Sequence, residues 1–217
     1  MTYSLIMVSP STELARMKLN LENRQLWFTS DTHYNHANIC RSTTSWIEKS
    51  NTRDFDTLEE MNSTIVNNIN SLVHEDDILI HLGDWSLGGF DSIVEFRKRI
   101  NCREIRIVLG NHDHHIANNK NNIQLLFSSV HDYLQLEIEK SRLVCMHYPI
   151  ASWNGLANGY LHLHGHTHSR NRLTGGKSMD VGMDSNSLLP VNFRDIVETL
   201  STMHIDNLFL EDDYHSM

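Results

Sequence analysis

The sequence has few of the features that mark a disulfide framework, a flexible linker or a membrane span. Its 217 residues include three prolines and three cysteines, Cys40, Cys102 and Cys145. The cysteines are odd in number and show no CxxC spacing, which argues against a disulfide framework and a cysteine zinc site. No apolar run reaches the roughly 18 residues of a spanning helix. With no basic leader at the N-terminus, these features predict a cytoplasmic protein without a membrane partner.

Positive charge is also scarce. The chain has 18 Lys and Arg against 27 Asp and Glu, a net charge of −9, and its longest basic cluster is "RKR" at 97–99. Proteins that bind long nucleic acids need basic stripes, so no long nucleic acid is expected as a partner. We find no internal repeat, low-complexity segment or linker, and we expect one domain over residues 1–217. The sequence gives no indication of oligomeric state.

Histidine, by contrast, is abundant, with fifteen residues spread along the chain. Between them lie short runs rich in Ile, Leu and Val that are typical of buried strands, at 25–30, 77–82, 104–109, 143–146 and 160–164. Amphipathic patterns predict helices at 57–73, 91–100 and 192–200, the first with the capping box Thr57 and Glu60. Alternation on both sides of "EKS" predicts a hairpin. The order of elements predicts an α/β fold with a mixed sheet or a two-sheet sandwich.

Each predicted strand runs into a cluster of Asp, Asn or His at its carboxyl end. In order, these are Asp31 and His33, then Asp84, then Asn111, His112 and Asp113, then His147, and finally His166 and His168. Taken singly, each cluster could be a helix cap, a turn or a solvated loop. Together they predict a metal site, because ligands of α/β sheets bind where carboxyl ends of strands converge. Oxygen and imidazole ligands without thiolates suit manganese, iron, zinc or nickel.

The ordered motifs "DTH", "GD", "GNHD", "H" and "GHTH", spread over roughly residues 26–184, resemble those of calcineurin-like metallophosphoesterases, especially small bacterial and phage members. The resemblance implies a four-layer αββα sandwich of two mixed β-sheets flanked by helices, with a two-metal centre at one edge. It also implies one ligand set of Asp31, His33, Asp84 and His168, and a second of Asp84, Asn111, His147 and His166.

The resemblance further implies a mechanism. A hydroxide between two divalent ions attacks phosphorus, with manganese the ion favoured in vitro. His112 then lies over the substrate, where it stabilises the transition state or protonates the leaving oxygen, and Asp113 orients it.

Contacts to the rest of the substrate are less well marked. His36, which precedes the polar segment 37–56, either touches substrate or caps a helix. Within that segment, Arg41 or Arg53 is expected to reach a phosphate and Trp46 to stack on a base. A second candidate lip, residues 148–160, contains Trp153. The alternative is that both segments only cover the sheet, and that their aromatic residues are packing.

The function predicted from these features is a metal-dependent phosphodiesterase acting on a small phosphodiester such as a cyclic or other nucleotide. The alternatives are a phosphomonoesterase, a nuclease acting on short nucleic acid, and a metal-binding scaffold without catalysis. Loss of a ligand would favour the scaffold, but all seven expected ligands are present.

Overall fold

The protein, described here from a computed structural model over residues 15–169 and 176–205, contains ten strands and four α-helices in those ranges. The strands are β1 Ala15–Leu19, β2 Leu26–Thr29, β3 Ile78–His81, β4 Glu104–Val108, β5 Ser129–His131, β6 Leu134–Ile138, β7 Ser141–Cys145, β8 Leu161–His164, β9 Ser178–Asp180 and β10 Val191–Asn192. The helices are α1 Leu58–Leu72, α2 Gly89–Arg99, α3 His114–Ala117 and α4 Phe193–Ser201.

The strands form two mixed sheets of five. One sheet has the order β10-β2-β3-β4-β5, in which β2 to β5 are parallel and β10 pairs antiparallel with β2. The other has the order β1-β6-β7-β8-β9, in which only the β6–β7 hairpin is antiparallel. With the flanking helices, these two mixed sheets confirm the predicted sandwich, including the hairpin and the parallel first half.

The core lies between the sheets and continues on the outer side of the first one. Phe28 and Ile80 point into the interface between the sheets, where they meet Leu136 and Leu143 of the second sheet. The alternate residues of β3 and β4 pack against α1 and α2 on the outer face. Parallel strands buried on both faces need nearly continuous apolar residues, and β3, "ILIH", is fully buried.

The outer face of the second sheet is covered differently. Val144 packs there against Trp153 and Leu156, the latter in a short 3-10 helix, Leu156–Asn158. Trp153 is buried, and its indole N–H donates to the carbonyl of Tyr160 at 2.9 Å. The suggestion that Trp153 forms a lip of the site is therefore wrong, and the packing alternative holds for this residue.

Local signals for the first helix are confirmed. The hydroxyl of Thr57 accepts the N–H of Glu60 at 3.0 Å, and the Glu60 carboxylate accepts the N–H of Asp56. The three cysteines are buried and free, as expected from their spacing. Within the described ranges, no helix combines the length and apolar character needed to cross a membrane.

Candidate metal centre

The carboxyl ends of four strands, two in each sheet, bring five of the predicted ligands together. Asp31 and His33 follow β2, and Asp84 follows β3 beside it in the same parallel sheet. His147 follows β7, and His168 follows β8, which are parallel neighbours in the other sheet. The first sheet thus contributes both carboxylates and one imidazole, and the second sheet contributes imidazoles.

The backbone at these positions is unusual. Asp31, His33, Asp84, His166 and His168 all have positive φ, between 46° and 69°. Residues other than glycine rarely adopt this conformation, and they keep it only where neighbouring structure enforces it. Here the loops hold one another, since the N–H of Asp31 donates to the carbonyl of Gly83 at 2.9 Å and that of His33 to Asp84 at 3.0 Å. Backbone strain is therefore concentrated at the candidate ligands.

Two glycines allow the loops to approach this closely. A Cβ on Gly110 would collide with the carboxylate of Asp84, and one on Gly165 with the side chains of Ser30 and Asp31. Glycine at these two positions lets the chain approach the site without a side chain in the way.

The first group of donors consists of Asp31, His33 and His168. The Nε2 atoms of the two histidines are 3.3 Å apart, and they lie 3.8 Å and 3.6 Å from Oδ1 of Asp31. Asp31 is 1% exposed, and its Oδ1 has no hydrogen-bond partner among residues 15–169 and 176–205. A buried carboxylate oxygen without a partner is costly, so this cluster fits a cation.

Asp84 is central to the second group. Its Oδ2 is 3.5 Å from Nε2 of His33, 3.6 Å from that of His147 and 3.9 Å from that of His112. Nε2 of His147 in turn lies 3.1 Å from Oδ1 of Asn111. Asp84 thus lies between histidines from both sheets. A third cluster consists of one oxygen of Asp31, one oxygen of Asp84 and one nitrogen of His147, all within 4.8 Å of one another.

His166 is placed differently from the other candidate ligands. Its exposed ring stacks edge-on with Tyr148 and His147, at centroid distances of 4.7 Å and 5.1 Å. Its backbone N–H donates to Oδ2 of Asp31 at 2.9 Å. In the described parts of the chain, its imidazole belongs to none of the three clusters of possible metal ligands.

Burial shifts the pKa of three candidate ligands, Asp31, His33 and His147, whereas for His168 the effect of burial is outweighed by Asp184 and Asp31, which raise its pKa. It raises the pKa of Asp31 to about 7, and the charge of Asp84 acts in the same direction. Burial lowers the pKa of His33 well below its usual value, and also lowers that of His147. Neutral imidazoles and oxygen donors around a site that resists negative charge suit divalent transition-metal ions.

Two further residues, Asp184 and Arg53, support the candidate ligand His168, and the sequence analysis did not predict this role for either. Nδ1 of His168 donates to Oδ2 of Asp184 at 2.6 Å, and Arg53 donates to both oxygens of Asp184. Burial acts to raise the pKa of Asp184, but these hydrogen bonds outweigh it and hold the pKa below its usual range. Arg53, considered from the sequence as a phosphate ligand, is only 6% exposed and is already engaged.

His112 lies at the open side of the centre. Its side chain is 41% exposed, and its backbone N–H donates to Oδ1 of Asp84 at 2.8 Å. Asp113 has a different environment from the one predicted. Its carboxylate accepts the N–H groups of Asp84, Trp85 and Gly110 at 2.7, 3.0 and 2.8 Å. The expectation that Asp113 orients the His112 ring is therefore corrected, because its oxygens join the loops after β3 and β4.

The two residues predicted to contact substrate, His36 and Arg41, lie in different environments. Nδ1 of His36 lies 3.3 Å from Nδ1 of His33, so His36 lies at the rim of the centre. Arg41 instead forms an ion pair with Asp54 at 2.8 Å and donates to Thr52. The guanidinium of Arg41 therefore pairs with the surface of its own loop, and its contact with substrate stays a prediction.

Metal binding should stabilise the folded protein. Mn²⁺ at about 100 times its dissociation constant should add about 2.7 kcal/mol, seen as a higher melting temperature that a chelator reverses. Asp31→Asn, which removes a ligand charge, should largely abolish this shift. The exposed Asp132→Asn is the control and should keep it. An equal shift in Asp31→Asn and the parent would contradict the assignment of Asp31.

The role of Asp113 is testable without metal. Asp113→Ala leaves three backbone N–H groups without their acceptor, and each such group costs about 1–3 kcal/mol when buried. We expect the metal-free variant to lose at least about 2 kcal/mol of unfolding free energy, measured by urea denaturation. Asp113→Asn keeps part of the acceptor and should lose less. A change below about 0.5 kcal/mol for alanine would count against this role.

Comparison with known proteins gives a consistent picture. A family model described as calcineurin-like phosphoesterase matches residues 24–213. The uncharacterized protein MJ1445 of Methanocaldococcus jannaschii is 29% identical over 148 residues, which are 67% of this chain and 70% of that protein. The gene 66 protein of Mycobacterium phage D29 is 25% identical over 196 residues, which are 77% of this chain and 92% of that protein.

Among solved structures, that of the protein of unknown function AQ665 from Aquifex aeolicus is similar in fold. It has a TM-score of 0.63 at 23% sequence identity, and the similarity covers 82% of this chain and 100% of that one. The family match spans every strand except β1 and includes every candidate ligand. This chain therefore belongs to the calcineurin-like phosphoesterase family.

Proposed function

We propose that the protein is a dinuclear metal-dependent phosphodiesterase that acts on small phosphodiesters, nucleotide derivatives among them. The observation that carries the proposal is the position of Asp84. One of its oxygens lies within 3.6 Å of imidazole nitrogens of both His33 and His147, which come from different sheets. A carboxylate between two sets of donors is what a pair of divalent ions shares.

In this proposal one ion is held by Asp31, His33, Asp84 and His168, and the other by Asp84, Asn111, His147 and His166. When bound, such ions supply Lewis-acid activation of water and neutralise phosphoryl charge, and manganese, iron, zinc and nickel all suit the donor set. The chain's own contribution is to keep the imidazoles of His33 and His147 neutral by burial, so that their nitrogens are free to coordinate.

His112 is the proposed catalytic residue. It is anchored through its backbone to Asp84, yet its ring remains partly exposed beside the ligands. A histidine in this position donates a hydrogen bond to a phosphoryl oxygen or protonates the leaving oxygen. One candidate acid at an open site is sufficient for cleavage of a diester, in which one leaving oxygen is protonated.

The substrate rim is aromatic. Trp46 is 41% exposed, and its indole meets the ring of His36 edge-on at a centroid distance of 6.1 Å. His36 itself stacks 5.1 Å from His33 and 6.0 Å from His112. An exposed indole one ring away from the ligands is placed to stack on a nucleobase whose phosphate lies at the metal centre.

The reaction class is tested with paired chromogenic substrates. With Mn²⁺, bis(p-nitrophenyl) phosphate should be hydrolysed with a kcat/KM at least about 10-fold above that of p-nitrophenyl phosphate. Asp84→Asn should lower it by about 10³-fold or more, since one change weakens both ion sites.

Asp132→Asn again serves as the matched surface control. A preference for the monoester would replace the diester assignment. Turnover of neither substrate with manganese, iron, zinc or nickel would contradict the enzymatic proposal.

The stacking role of Trp46 has a separate test. Thymidine 5′-(p-nitrophenyl phosphate) and methyl p-nitrophenyl phosphate share a leaving group, but only the first carries a base. Trp46→Ala should lower kcat/KM about 10-fold for the thymidine ester and less than about 2-fold for the methyl ester, as expected from a stacking energy of about 1–3 kcal/mol.

Trp46→Phe should retain most of the preference for the thymidine ester. The neighbouring Ile47→Ala, at a residue that is 96% exposed, should change neither substrate. Equal losses on both esters after Trp46→Ala would show that the indole does not recognise the base.

A further inference from the structure

Arg53 is a buried cation that no ligand set includes. It is 6% exposed, although it comes from the long polar segment between β2 and α1. Burying a guanidinium is unfavourable unless its donors are satisfied. The environment that satisfies Arg53 therefore indicates what the residue does.

Its donors reach two separate loops of the metal centre. Nε and Nη2 donate to the two oxygens of Asp184 at 2.8 and 2.9 Å, in a bidentate pair. Nη1 donates to the carbonyl of Thr32 at 2.8 Å, and Nη2 also donates to that of Asp31 at 2.7 Å. One planar group thus joins the loop after β2 to the loop after β9, which belong to different sheets.

The contact with Asp184 continues to a candidate ligand. Oδ2 of Asp184 accepts the Nδ1–H of His168, which turns Nε2 of that ring toward Asp31. A carboxylate on the far nitrogen of a metal-binding histidine fixes the tautomer and the orientation of the ring. Arg53 holds that carboxylate from its other side, and at the same time it holds the backbone of Asp31.

The backbone of Arg53 closes the segment that carries the aromatic rim. Its N–H donates to the carbonyl of Ile39 at 2.6 Å, and its carbonyl accepts the N–H of Arg41 at 2.9 Å. This bridge between Cys40 and Arg53 brings the two ends of the loop 41–52 together. The loop that presents Trp46 is therefore tied at its base to the metal centre.

We propose that Arg53 is a positioning residue for the metal centre, which sets metal affinity by holding His168 through Asp184 and the Asp31 loop through its carbonyls. The inference rests on the proposed metal site but not on turnover. Arg53 touches neither the candidate ligand atoms nor the proposed place of the substrate, so its effect is transmitted by the groups it orients.

The test measures metal binding directly. Mn²⁺ is titrated into metal-free protein, and free Mn²⁺ is measured by electron paramagnetic resonance. Arg53→Gln and Asp184→Asn should each weaken binding about 10- to 100-fold, the range seen when partners of metal-binding histidines are removed. Arg53→Lys keeps the charge but loses the bidentate fork, and should be intermediate.

The control is Arg97→Lys. Arg97 also donates to three backbone carbonyls, of Leu126, Ile100 and Arg103, and these belong to no part of the centre. The Arg97→Lys variant should have a lower melting temperature and an unchanged affinity for Mn²⁺. If Arg53 has only a structural role, the Arg53 variants should also show a lower melting temperature with Mn²⁺ affinity within 2-fold of the parent. That result would overturn the proposal.

The second measurement tests whether the effects of Arg53 and Asp184 on Mn²⁺ affinity are coupled. If Arg53 acts on His168 through Asp184, the double variant Arg53→Gln/Asp184→Asn should bind Mn²⁺ less weakly than the product of the two single effects predicts. Full additivity would overturn the path through Asp184. If Arg53→Gln does not fold, Asp184→Asn and Arg53→Lys decide the question.

The visible absorption of bound Co²⁺ should also change in Arg53→Lys, because the ring of His168 is less firmly oriented. An unchanged Co²⁺ spectrum together with parent-like Mn²⁺ affinity would contradict the proposal. Since neither readout uses a phosphoester, the proposed phosphodiesterase activity can fail while this inference stands, and the reverse holds as well.

Discussion

Burial of two carboxylates at the ends of adjacent parallel strands is the constraint on which the rest of the centre depends. Asp31 and Asp84 are 1% and 2% exposed, and their oxygens lie within 4.8 Å of each other. Burial is the main cause of the raised pKa of Asp31, and repulsion by the like charge of Asp84 acts in the same direction. Divalent cations bound at the proposed sites would compensate such a pair.

The docking of the two sheets sets the geometry of the ligands. Asp31, His33 and Asp84 belong to the sheet that carries Phe28 and Ile80, whereas His147 and His168 follow strands of the other. The apolar contacts between the sheets therefore decide how far the imidazoles stand from the carboxylates. Because the backbone at these ligands is strained and the loops are joined by hydrogen bonds, little conformational freedom remains to correct an error in that packing.

The sequence predicted the strands that carry the site better than those at the edges. The buried central strand β3 is almost entirely apolar and β4 alternates apolar residues with Glu104 and Arg106, and the ends of the two strands were marked by Asp84 and Asn111. By contrast, β5, β9 and β10 have two or three residues each, too few for a pattern of hydrophobicity to show. Their pairing is decided by neighbours that are distant in sequence.

Long polar side chains were the least predictable part of the site. Arg41 and Arg53 lie in the same polar segment, and nothing local distinguishes the arginine that pairs on the surface from the one that is buried. The difference arises from Asp184, 131 residues further along the chain. The role of Asp113 was predicted wrongly for a similar reason. Its carboxylate oxygens accept hydrogen bonds from backbone N–H groups, which no sequence motif marks.

The charge of the whole chain and the charge of the centre lead to different expectations for small and large substrates. Two divalent ions at the proposed sites would bring four positive charges against the two of Asp31 and Asp84, while Asp184 is balanced by Arg53. Beyond about 8–10 Å, salt screens the interaction of exposed charges. A small diester bound at the centre would experience mainly the ions. A long polyanion would extend past them over a protein with a net charge of −9, which favours substrates no larger than the site and its aromatic rim.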